Sequence, residues 1–235
     1  MAETLARTGT SGFSFAAWKG PFYPQKLPAS KMLAHYGAHL GTVEINASFY
    51  KVPAAATLAS WARQVPPAFR FALKASRFVT HSLKLAGAAD ALASFFDIAS
   101  ALGEALGPLL VQVPPFVRSD ARLLANFLSG VPAGRRVALD FRDHSWRNES
   151  IYGILRDFNA AWVVSESDDA PAHEPRTATW DYLRLRKSLY SSEEIAAWAR
   201  RVEGRDAFVY FKHEDEARGP EFALSLAAEL ARGRR

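Results

Sequence analysis

Two polar residues on one face of a short strand are where chemistry could begin in this chain. Thr42-Val-Glu-Ile45 is a β-branched run with Gly41 before it and Pro53 beyond it, so it reads as a strand. Side chains alternate along a strand, which puts Glu44 and Asn46 on the same side. Buried without partners, each would cost about 1–3 kcal/mol, so they either hydrogen-bond inside a core or line a wet pocket. Glu44 is the leading candidate for a general acid or base. Lys74 ends the run Arg70-Phe-Ala-Leu-Lys74 and could be an anion anchor, an electrophile or a Schiff-base nucleophile, with anchor the favoured role. His81, just beyond, is the third catalytic candidate, because imidazole titrates near neutral pH.

A short apolar strand ending in polar residues recurs down the chain. Such ends carry Ser11, Gln112, Asp140 with Arg142, Arg184 with Arg186, and Lys212 with His213. With Glu44, Asn46 and Lys74, this set holds the cations Lys74, Arg142, Arg184, Arg186 and Lys212 against the carboxylates Glu44 and Asp140. The surplus points to a small anionic partner, a phosphate or carboxylate held by Arg forks and Lys point charges. The competing reading is that these residues pair internally as a structural network. Tyr50 and Trp146, like Trp18 and Tyr23, could wall a pocket by stacking on a ring, or could simply pack in the core. Glu44, Asp140, His81, Glu166, Asp168 and His213 are scattered and include no closely spaced His pair, so no metal or other cofactor is expected. Ser11, Ser76 and Ser145 lack the Gly-x-Ser-x-Gly elbow of a serine hydrolase.

Eight short strands would carry these ends. The candidates are Ala6–Thr10, Thr42–Ile45, Arg70–Lys74, Leu109–Val113, Arg136–Arg142, Ala161–Ser165, Tyr182–Arg186 and Ala207–Lys212. Helical segments separate most of them. Ser30 can cap one over Lys31–His39, another lies near Thr57–Gln64, and Ala88–Leu106 is Ala/Leu-rich and would end at Gly107-Pro108. Further helices run from Asp120 to Leu128, from Asn148 or Glu149 to Phe158, from Ser192 to Val202 and from Glu221 to Ala231. Glu166–Trp180 contains Pro171 and Pro175 and has no helical period, so an irregular segment should replace helix six. The alternation implies a parallel α/β sheet, and eight units in 235 residues fit one compact (β/α)8 TIM-type barrel domain over 1–235. A doubly wound open sheet is the alternative, but no Gly-x-Gly-x-x-Gly or P-loop supports it.

Composition narrows the function. The chain has no cysteine, which excludes disulfides, thiolate nucleophiles and Cys-based zinc sites. No apolar run approaches the roughly 20 residues of a membrane span, and the first ten residues lack a signal-type apolar core, so a cytoplasmic protein without a membrane partner is expected. The net charge of +5 suits an acidic substrate or a polyanion.

Several motifs run along the chain. They are Gly9-Thr-Ser-Gly-Phe13 with Trp18, Gly20 and Phe22-Tyr-Pro24, then Val43-Glu-Ile-Asn46 with Phe49-Tyr50 and Pro53. Next come Phe71-x-x-Lys74 with Thr80-His81, Gln112-x-Pro-Pro115, Phe141-Arg142 with Ser145-Trp146, and Tyr210-Phe-Lys-His-Glu214. Together they resemble the domain-of-unknown-function family 72, the YecE-like family, over nearly the whole chain. The resemblance implies a (β/α)8 barrel and no established reaction. The chain departs from the family in having Asp140 before Phe141-Arg142 where Glu is usual. It also has Arg186-Lys187 where many members have His-Gly, which removes a His that a mechanism could use. The functional expectation is an enzyme acting on a small anion at the C-terminal face of the barrel. The alternatives are a nucleic-acid-binding or processing barrel and a non-catalytic ligand-binding module.

Overall fold

The structure, a computed structural model, describes residues 6–212 and 215–233. Its strands are β1 (Ala6–Ser11), β2 (Thr42–Ile45), β3 (Arg70–Lys74), β4 (Leu106–Val113), β5 (Val137–Phe141), β6 (Ala161–Ser167), β7 (Trp180–Arg186) and β8 (Asp206–Phe211). Each pairs in parallel with the next, and β1 pairs with both β2 and β8, so the sheet closes into a barrel. The helices are α1 (Ala29–His39), α2 (Ala55–Ala62), α3 (Ala89–Ala99), α4 (Ala121–Ser129), α5 (Glu149–Asp157), α6 (Ser192–Val202) and α7 (Arg218–Arg232). The expected (β/α)8 TIM-type barrel is confirmed, and among the described residues only the β6–β7 connection has no helix.

Two apolar layers follow from closure. A strand in a closed parallel barrel is covered on both faces, so its sequence is nearly all apolar, and all five residues of β5 are buried. The inner layer joins Ala72, Ala138 and Ala161 to Trp180, Tyr182, Phe208 and Tyr210. Small side chains on β3, β5 and β6 thus leave the volume that aromatic rings from β7 and β8 fill. The outer layer packs the other strand face against the helices.

Local chemistry sets the helix starts. Asp120 caps α4 by accepting from the Leu123 N–H at 2.9 Å, and Asn148 caps α5 through Ile151. The cap of α6 is Ser191, one residue before the expected Ser192 start, in a reciprocal capping box with Glu194. Ser30 does not cap α1. That helix begins at Ala29 behind Pro28, whose fixed φ suits a helix entry. The helix expected over Ala88–Leu106 is also shorter. α3 ends at Ala99, a 3-10 turn covers Ser100–Ala105, and Gly107-Pro108 lie inside β4. A bulge between β3 and β4 accepts Pro108, which has no N–H for the ladder. At Gly107 a Cβ would stand 2.9 Å from the Phe71 carbonyl oxygen, so the strands approach too closely there for a side chain.

The helix-free segment between β6 and β7 is pinned by polar contacts instead of by an apolar face. The Thr177 hydroxyl donates to the Ala160 carbonyl and accepts from the Trp162 N–H, both at 2.8 Å. The Asp168 carboxylate accepts from the Ser188 N–H and hydroxyl. Among the described residues no helix is long and apolar enough to cross a membrane.

The closest strand approach generates a prediction. A Cβ on Gly9 would stand 1.9 Å from the Thr42 carbonyl oxygen across the β1–β2 pair. Gly9→Ala is expected to cost about 3 kcal/mol or more in urea unfolding, because backbone must move. Gly153→Ala, in α5 with nothing within 4 Å, is expected to gain about 0.5–1 kcal/mol. Equal midpoints for the two variants would refute this account of the closure.

Candidate functional site

Alternation along the strands turns Ser11, Glu44, Asp140, Tyr182 and Arg184 toward the barrel axis near its C-terminal end. Glu44 is fully buried. Its Oε1 accepts from the Ser11 hydroxyl at 2.8 Å, the Asn46 amide at 3.0 Å and the Arg184 Nη2 at 3.0 Å. Its Oε2 accepts from the Tyr182 hydroxyl at 2.8 Å. Arg184 also donates from Nη1 to Asp140 at 2.9 Å, and Asp140 accepts a second bond from Arg142 at 2.7 Å. Burial alone would raise the Glu44 pKa, but Arg184 and the three neutral donors outweigh it and hold the carboxyl below its usual range. Burial disfavours the Arg184 cation, and the two carboxylates more than restore it. The Arg184 Nε is buried without a hydrogen-bond partner among the described residues.

A cleft of about 270 Å³ opens above this layer. Among the described residues its walls are Ser11, Asn46, Phe49, Tyr50, Lys74, Gln112, Arg142, Arg184 and Arg186, four of them cations and none a carboxylate. Within the site, Arg184 and Arg142 match the charge of Glu44 and Asp140. Among the described residues, Lys74 and Arg186 are therefore surplus. Burial, then Arg184, lowers the Lys74 pKa to about 8, and its ammonium sits 4.7 Å above the Phe49 ring. Burial and Arg184 also lower the Arg186 pKa. A second cleft of about 180 Å³ shares Arg142 and Arg186 and runs under the helix-free segment past Trp162, Glu166 and His173. A low-dielectric site with surplus positive charge can bind an anion or stabilise negative charge that develops during a reaction.

The cleft unites Asn46, Tyr50, Lys74, Gln112, Arg142, Arg184 and Arg186. Glu44 and Asp140 lie beneath it. His81 stands at the rim, where its ring lies 5.3 Å from Phe49 and its Nδ1 contacts the Thr80 hydroxyl. Burial, then Arg77 and Lys74, lowers its pKa. Lys212 is half-buried beyond β8 and is not among the cleft walls. His213 lies outside the described residues. Trp146 does not wall the cleft. It is fully buried behind β5, stacked on Phe141 at 4.4 Å, and its indole N–H donates to the Val117 carbonyl. Trp18 and Tyr23 are likewise fully buried, in the outer layer.

Glu166 accepts from the Trp198 indole, and among the described residues no three His, Asp or Glu side chains converge as a metal ion requires. One closely spaced His pair does exist. His35 and His39 stand a turn apart on α1 with stacked rings 4.4 Å apart, each ring bonded to a backbone carbonyl. Sequence reasoning also missed Tyr182 and Phe49. Tyr182 shares its parity along β7 with Arg184 and Arg186, which is the signal that could have found it.

A family model described as "Protein of unknown function DUF72" matches residues 7–235. The chain belongs to the DUF72 family. The resemblance drawn from the motifs is thereby confirmed, and the family name carries no reaction. A curated relative, UPF0759 protein YunF of Bacillus subtilis (strain 168), is 26% identical over 171 residues, which is 67% of this chain and 59% of YunF. A crystal structure of a DUF72 protein from Thermotoga maritima is 26% identical, with a TM-score of 0.83 over 97% of this chain and 99% of that one. A DUF72 protein from Enterococcus faecalis, 18% identical, has the same fold, with a TM-score of 0.80 over 97% of this chain and 96% of its own.

The buried layer generates a second prediction. Arg184→Met leaves two buried carboxylates without their common cation, and is expected to cost about 3–5 kcal/mol in urea unfolding at pH 7. In the wild type, the Glu44 carboxyl titrates lower when folded than when unfolded. Its contribution is complete above the ordinary value of 4.5 and is lost as pH falls below it. A variant as stable as the wild type at pH 7 would contradict the network's role.

Proposed function

We propose that this DUF72 barrel is an enzyme that binds a small phosphate- or carboxylate-bearing substrate in the upper cleft and uses Lys74 for proton transfer. The observation that carries the reading is a cleft whose walls, among the described residues, hold four cations and no carboxylate, above two carboxylates already matched in charge. Arg142 and Arg186 hold the anion, Arg184 stabilises charge from below, and Asn46 and Gln112 orient the substrate. Lys74 is charged at pH 7, yet with a pKa of about 8 it releases its proton more readily than a solvated lysine. That is the profile of a general acid working near neutral pH.

Glu44 takes a different role from the one its residue type suggests. Its oxygens already accept four hydrogen bonds, and its pKa is held low, so it positions Arg184 and does not exchange protons with substrate. His81, neutral near pH 7 at the rim, can relay a proton between Lys74 and solvent. The C-terminal face is where barrel enzymes build their sites, which adds support by fold analogy alone.

A thermal-shift screen of phosphorylated and carboxylated metabolites tests the reading. At 100 times its dissociation constant, one small anion should stabilise the wild type by about 2.7 kcal/mol. Arg186→Ala, which breaks no ion pair among the described residues, should lose that effect. Bound anion favours protonated Lys74, so affinity should fall as pH rises past about 8, and Lys74→Met should abolish both turnover and that pH dependence. Silence across the screen would refute the reading.

A further inference from the structure

We propose that the upper mouth takes a nucleotide unit, with its phosphate in the cation cleft and its planar base stacked on a ledge of exposed aromatic rings. The phosphate half rests on the anion reading above; the base half rests on separate observations. Tyr50, Phe78 and Phe116 are 83%, 56% and 58% exposed, and all three lie in loops that follow strand ends at this mouth. Large aromatic side chains gathered in water at the edge of a cleft mark a binding surface. Tyr50 and Phe116 are joined in a continuous run of rings. Tyr50 meets Phe49 at 5.0 Å, Phe49 meets His81 at 5.3 Å, and His81 meets Phe116 at 5.8 Å. Phe49 and Tyr50 are themselves walls of the cation cleft, so the ledge begins where the anion would sit. Lys84 stands 5.9 Å above the Phe116 ring, which puts a second cation at the outer end.

The backbone beneath the ledge is unusual in the same place. Phe78–Ser82 form a single π-helical turn, and Lys84 and Leu85 follow with φ of 50° and 71°. Residues with side chains seldom adopt these conformations, which gather at ligand-binding segments. Leu85 is buried, so the loop is anchored while Phe78 and Phe116 stay in water. The charge count selects phosphate over carboxylate. Among the described residues, Lys74 and Arg186 leave two positive charges unmatched, which suits a phosphate monoester carrying close to two negative charges. Aromatic ring faces beside a positive groove stack bases without regard to their identity.

Isothermal titration with adenosine monophosphate and ribose 5-phosphate separates the two halves. The wild type should bind adenosine monophosphate about tenfold more tightly, the stacking contribution of one base. The double variant Phe78→Ala with Phe116→Ala changes only exposed rings that do not line the cation cleft. It should bind both compounds equally, at the wild-type ribose 5-phosphate affinity. Equal affinities in the wild type, or a base preference that survives in the double variant, would overturn the ledge and leave the anion site standing. No binding of either phosphate would overturn both. A short single-stranded oligodeoxyadenylate gives the source. Much tighter binding than the mononucleotide, weakening steeply with salt, assigns the unit to a strand, and comparable binding assigns it to a free nucleotide.

Discussion

The bidentate reach of Arg184 to Glu44 and Asp140 is the interaction on which the upper half of this barrel depends. A carboxylate with no exposed surface, such as Glu44, is tolerable only with a matched cation and filled hydrogen-bonding sites. Arg184 supplies the charge from β7, while Ser11, Asn46 and Tyr182 fill the remaining positions from three elements. The fork of one guanidinium thereby ties β2, β5 and β7 together across the barrel axis. Replacing such a network by apolar residues can be neutral for stability, so its value lies in what it fixes. Here it fixes the charge of the floor. Once the floor is neutral, each further cation at the mouth counts as surplus.

That surplus gives Lys74 its character. Burial removes part of its water, Arg184 and Arg142 stand near it, and the carboxylates that would steady its charge are engaged below. An ordinary solvated lysine has none of these constraints. The aromatic rim adds a second kind of surface beside the first: Phe49 lies under the ammonium, and Tyr50 extends outward from it. Point charge, neutral floor and exposed ring face occupy one mouth because three successive strands, β2, β3 and β4, deliver their loops side by side.

Much of this was legible in the residues. Alternation placed Glu44 with Asn46 and aligned the strand ends, and Pro171 and Pro175 marked the connection that could not be helical. Eight strand signals separated by helices were enough for a barrel, because parallel neighbours need crossovers. What was not legible depends on depth. Trp146 and Tyr50 look alike beside a strand end, but one is fully buried and the other is 83% exposed. Residue type cannot separate a buried carboxylate with four donors from a solvent-facing acid, so the role of Glu44 needed its neighbours. Gly107-Pro108 reads as a helix stop, and only the close approach of β3 shows why both residues fit inside β4.

The ionisation of Lys74 tests the account most directly. Reductive methylation with carbon-13 labels every lysine for NMR titration, and Lys74→Arg identifies its signal by loss. A matched floor beneath surplus cations predicts a midpoint near 8 for Lys74, against about 10.4 for solvated lysines. A Lys74 midpoint at the solvated value would contradict it, since the ammonium would then feel neither burial nor its neighbouring guanidinium groups.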